Sequence, residues 1–117
     1  MELNEVETLV LSKLISFVKN ECDDSDATMF ASSTILATIE KKIMTKNMEY
    51  LNQKFPESNY HLDHFIEDFP HLLARIAYHI SNIKDWKELD LKTKTEIVTN
   101  LISPYHYQQI TFDSFIS

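Results

Sequence analysis

The chain has 117 residues, 44% of them hydrophobic and 25% charged, with a formal charge of −7 and no glycine. That length and apolar content suit one domain with its own core and argue against disorder; the missing glycine excludes a P-loop, a GxGxxG turn, a GxSxG elbow and an EF-hand loop. The acidic balance argues against nucleic acid as a ligand, since its affinity begins with clustered Lys and Arg, and favours solubility or a basic protein partner.

From the N-terminus, Leu3 to Glu21 reads as an amphipathic helix. Asn4 can cap it, with Glu7 three residues on in a capping-box arrangement. Leu3, Val6, Val10, Leu14 and Phe17 form its apolar stripe, widened by Leu11 and Val18, and such a stripe is expected to face a core. Acids precede the apolar run, the reverse of a secretory signal. The turn CDDSD follows. A calcium loop opening at Asp24 would need glycine where Met29 stands, so Ser25 or Asp26 is expected to cap a second helix instead. Cys22 is the single cysteine, which leaves no internal disulfide or cysteine-based zinc framework and points to a cytoplasmic compartment.

The second helix is expected from about Ala27 into the high forties, on a stripe of Ile35, Ile39 and Ile43. Lys41, Lys42 and Lys46 near its end read as a solvated basic patch beside a helix C-terminus. Pro56 ends any continuation. Ser58–Phe69 reads as a short helix with Leu62, Phe65, Ile66 and Phe69 inward. Pro70 then restarts the chain as a first-position proline. The helix it opens, PHLLARIAYHISNI, carries one charge, Arg75, and its face of Leu72, Leu73, Ile76, Ile80 and Ile83 marks it as the central helix, residues 70–83. Ala74, Ala77 and Ser81 leave room for a close neighbour. Trp86 is expected to pin a turn, Asp90 to cap a helix through Ile102, and Pro104 to open a short helix over PYHYQQI. The tail TFDSFIS reads as extended, with Phe112 and Phe115 docked. No window is long and apolar enough to span a membrane. The expected fold is an all-α, single-domain bundle of five or six helices over residues 1–117.

Three constellations could carry chemistry. On a helix, His61, His64 and Asp68 would share one face and could hold a divalent ion, although bundle metal sites usually draw ligands from two or more helices. The polar face of the central helix carries His71, Arg75, Tyr78 and Asn82, with His79 at its edge. It is either a satisfied polar interior or a partner-binding surface. Tyr105 and Tyr107, flanking His106, are the remaining candidates, since tyrosine suits recognition surfaces and also the sealing of a bundle end. Within this set Arg75 and His79, in RIAYH, faintly resemble the HEPN family of helical ribonucleases, whose signature is Arg and His with four to six residues between them. Here three intervene. The resemblance would imply an arginine holding an RNA phosphate and a histidine moving a proton. The other reading is that Arg75 bonds helix-end carbonyls or a carboxylate and His79 is a satisfied core-edge histidine.

The expectation is therefore a non-enzymatic, acidic, cytoplasmic protein-binding module. By class it compares with immunity proteins, inhibitors and adaptors from microbial or viral sources, and it needs no cofactor, metal or membrane. In size it also compares with the viral bundles that resemble Bcl-2 proteins, but their NWGR-type signature is absent. The alternative is a small helical enzyme, either HEPN-like through Arg75 and His79 or a histidine-based metal-dependent hydrolase.

Overall fold

Asn4 opens the first helix. Its side-chain oxygen accepts the Glu7 N–H at 2.8 Å, and the Glu7 carboxylate accepts the Asn4 N–H at 3.0 Å, closing the expected capping box. The computed structural model that contains it describes residues 2–61 and 63–117. Over those residues the chain is all-α, with helices α1 (Glu5–Asn20), α2 (Ser25–Ala31), α3 (Thr34–Lys54), α4 (Pro70–Ser81), α5 (Leu91–Ile102) and α6 (Gln109–Ile116). Single 3-10 turns at Ile66–Asp68 and Trp86–Glu88 flank α4. No helix among these residues is long and apolar enough to cross a membrane.

The central helix is where the sequence puts it. Leu72 and Ile76 of α4 are buried with Ile66, Val98, Leu101, Ile102, Phe112 and Ala31, so α2, α5 and α6 close one core around α4. Trp86 packs against that core, as does Phe115. Asp90 caps α5 through its carboxylate, 2.7 Å from the Thr93 N–H.

Three segments differ from expectation, each for a local reason. The long second helix is broken at Ser32–Ser33. The Ser32 hydroxyl donates back to Thr28 O at 2.8 Å, and Ser33 accepts the Leu36 N–H, which ends α2 and starts α3. Two adjacent serines compete with the helix for its own backbone, and here they win. The cap of α2 is Asp24, one residue before Ser25 and two before Asp26, the expected caps.

The helix expected over Ser58–Phe69 shrinks to the turn at Ile66–Asp68. Asn59 sits in the left-handed region (φ 49°), and Asn52 takes both the N–H and the C=O of Tyr60, at 2.7 and 2.9 Å. Further on, the backbone pairs instead with the C-terminal segment: Ile66 N–H donates to His106 O at 2.8 Å and His106 N–H to His64 O at 2.9 Å. Leu62, assigned to the interior from sequence, lies outside the described residues. The short helix expected over PYHYQQI is this paired segment, and α6 forms from the tail read as extended. Phe112 is buried within it.

The largest departure is the rotation of α1. Its buried residues are Thr8, Ile15 and Lys19, while the stripe Val6, Val10, Leu14, Phe17 faces out at 68, 58, 54 and 48% exposure. On α3 the same holds for Ile35 and Ile39, and only Ile43 of that stripe is buried. Position on the helical wheel was read correctly, but the side facing the core is set by polar anchors on the opposite face.

Candidate functional site

The C-terminal end of α1 has carbonyls without intrahelical partners, as every helix does. α4 supplies the donors. His79 is 1% exposed, with Nε2 2.6 Å from Lys19 O and Nδ1 2.8 Å from the Thr28 hydroxyl. A carbonyl only accepts, so Nε2 carries the proton and Nδ1 accepts from Thr28, whose oxygen in turn accepts from Asn82 Nδ2 at 3.2 Å. Arg75 donates from Nε to Lys19 O (3.3 Å), from Nη2 to Cys22 O (2.9 Å) and from Nη1 to Asp23 Oδ1 (3.1 Å). Its guanidinium lies 4.3 Å from the centre of the Tyr78 ring, and the Tyr78 hydroxyl donates to Asp23 O at 2.9 Å. Four of the expected partner-binding residues, Arg75, Tyr78, His79 and Asn82, thus form one latch over the α1–α2 turn. Neither ring nitrogen of His79 is free to move a proton for a substrate, and each of the three nitrogens of Arg75 is engaged.

Burial lowers the His79 pKa below the usual 6.5, helped by the Arg75 and Lys19 charges and opposed by the bond to Lys19 O. The unfolded chain therefore binds this proton more readily than the folded one. Its contribution to stability is complete above pH 6.5 and is lost as pH falls through the depressed folded value. Glu40 acts in the opposite sense, because burial raises its pKa above 4.5 against the pull of Lys19, so acidification relieves it. His79→Gln keeps a donor for Lys19 O and an acceptor for Thr28 but does not titrate. Urea unfolding from about pH 7.5 to about pH 5 should show a stability profile tilted further toward neutral pH in the parent protein than in His79→Gln. Parallel profiles would mean that His79 is not held neutral.

Beneath the latch lies a cavity of about 150 Å³ whose walls include Ile15, Lys19, Glu40, Ile43, Ile76 and Tyr105. Lys19 and Glu40 form an ion pair at 2.9 Å with side chains 10 and 9% exposed. Lys19 Nζ also donates to Ser103 O at 2.7 Å and Asn100 O at 3.4 Å, capping the end of α5. The Lys19–Glu40 pair was not singled out from sequence. The available signal was the wheel of α1, where Thr8, Ser12, Ile15 and Lys19 make a face of small or long-stemmed residues without an acid.

The other expected sites are dispersed. His71 is exposed, its ring edge-on to Phe69 with the ring centres 6.4 Å apart. Tyr105 is half-buried against Phe69 at 5.3 Å, and Tyr107 stacks on Phe112 at 5.0 Å. His61 and His64 stack ring on ring at 4.8 Å outside any helix, and no three His, Cys, Asp or Glu side chains among the described residues converge as a metal-holding group. Lys46 pairs with Glu49 at 3.5 Å on the surface. Comparison of the chain with protein-family signatures, curated proteins and solved structures finds no match in any of the three.

Proposed function

We propose that the protein is a non-enzymatic binding module of inhibitor or adaptor type that docks on a partner through the exposed face of α1. The observation that carries this reading is the outward stripe Val6, Val10, Leu14, Phe17. Residues four and three apart lie one above the other, so the four side chains make one ridge about 16 Å long. With the partly exposed Leu9 beside it, the ridge offers on the order of 400–500 Å² of apolar surface, as large as the largest patch of an ordinary monomer.

Charge selects the occupant. Glu2, Glu5, Glu7 and Glu21 are exposed on or next to α1, three exposed aspartates follow in the turn, and Lys13 is the single exposed cation on the helix. Glu5 and Asp23 are partly answered by Lys54 and Arg75, at 3.1 Å each. An apolar ridge with an acidic rim fits an amphipathic helix whose apolar face is bordered by Lys or Arg. Titration calorimetry with a synthetic Leu/Lys amphipathic helix should show saturable, salt-weakened binding. Leu14→Ser with Phe17→Ser should abolish it, and a Leu/Glu helix of the same pattern should not bind. Equal binding of the two helices, or binding indifferent to the α1 substitutions, would refute the reading. A dimer dissociated by those substitutions would replace the partner with a second copy of the chain.

A further inference from the structure

We propose that the cavity under the α4 latch is a binding site for a small uncharged molecule with hydrogen-bond donors at one end and an apolar body. This inference rests on the cavity alone and is independent of the docking face of α1. The carboxylate of Glu40 is nine-tenths buried, and Lys19 occupies only its Oε1. Oε2 has no hydrogen-bond partner among the described residues. No fully enclosed side-chain oxygen or nitrogen among those residues lacks a partner, so Oε2 must border open space, and Glu40 lines this cavity. The Tyr105 hydroxyl, on another wall, is likewise without a partner among the described residues. Burial and the Glu40 charge both hold that phenol protonated, which makes it a donor or acceptor and never a competing anion.

The charges define the ligand class. All three Lys19 protons are committed, to Glu40 Oε1, Ser103 O and Asn100 O, so an anion would find no free ammonium proton on Lys19 and would face Oε2. A cation would enter beside Lys19 and Arg75 to share a carboxylate that already has its counter-ion. A neutral hydroxyl or amide meets neither objection: it can donate to Oε2 and bond Tyr105, leaving its body to Ile15, Ile43 and Ile76. Polar groups left without a protein partner in so narrow a site are what such a ligand would satisfy.

Methyl NMR titration of the intact protein with hexylene glycol, hexylammonium and hexanoate tests this with neutral, cationic and anionic probes of equal carbon count. Hexylene glycol alone should saturate, with shifts confined to the methyl groups that line the cavity, Ile15, Ile43 and Ile76 among them. Glu40→Gln and Tyr105→Phe should each weaken it by about tenfold, the usual effect of one lost bond to a buried polar group. If Glu40→Gln fails to fold, Tyr105→Phe alone decides. Absence of saturation by the diol, comparable binding of all three probes, or undiminished binding in the folded variants would overturn the proposal. Leu14→Ser with Phe17→Ser should leave diol binding intact, which separates this site from the docking face.

Discussion

Lys19→Met should destabilise the protein by about 3–5 kcal/mol, the range found when one partner of a buried ion pair is removed. The reason lies in what remains behind. Glu40 would keep a carboxylate at 9% exposure with no counter-ion, and the Asn100 and Ser103 carbonyls at the end of α5 would lose their donor. For a domain whose whole stability is on the order of 5–15 kcal/mol, that loss approaches unfolding. The double variant Lys19→Met with Glu40→Leu removes both charges and leaves only the carbonyls unanswered, so it should recover all but about 1–2 kcal/mol. Urea unfolding of the single and double variants separates the terms. Burial already raises the Glu40 pKa in the presence of Lys19, and without Lys19 the carboxyl should rise further. The single variant should accordingly regain stability as pH falls toward 4.5, through the raised range in which the folded carboxyl becomes neutral. A loss below about 1 kcal/mol, indifferent to pH, would show that the pair is not closed in solution.

The same side chains explain what was legible in the sequence. Helix starts are written locally: Asn4 with Glu7, Asp90 and Pro70 each act within three residues of themselves and stand at expected boundaries, and Ser33 acts as locally inside what reads as one continuous helix. Helix ends are usually closed by glycine in the left-handed region, and this chain has none. The only described residues in that region are Asn59 and Asp85, types that tolerate it. The work of closing helix ends passes to side chains from distant elements. His79 and Arg75 bond the end of α1, Lys19 bonds the end of α5, and Asn100 donates to Ser32 O at the end of α2 (3.0 Å). These partners are separated by 56–84 residues, so no local pattern announces them. The polar face of α4 was visible for this reason, its alternative reading as a set of helix-end donors included, while the role of Lys19 was not. The segment around His61 and His64 was misread as helical because its bonds are made to His106, which a helical wheel does not contain.

Adjacent residues on α1 give the sharpest test of that anchoring. Ile15→Ala should cost about 2–4 kcal/mol, since Ile15 is buried and lines the wall shared with Ile43 and Ile76. Leu14→Ala should cost less than about 0.5 kcal/mol beyond helix propensity, because its side chain faces solvent. Hydropathy alone would rank the two residues equally, and the stripe Val6, Val10, Leu14, Phe17 would place the larger loss on Leu14. The orientation follows from competition between two faces of one helix. Turning the stripe inward would bury apolar surface worth roughly 1–2 kcal/mol per side chain. It would also carry Lys19 into solvent, strand Glu40 and uncap α5, and withdraw Lys19 O from His79 and Arg75. The polar anchors outweigh the stripe only as a set, so they should also be the route by which the face is lost. In Lys19→Met, α1 has less to hold its rotation, and Leu14→Ala should become measurably destabilising in that background. Thermodynamic coupling between Lys19 and Leu14, which do not share a face of the helix, would identify rotation of α1 as the response. Strict additivity of the two losses would leave the helix fixed by packing of Ile15 and Thr8 alone.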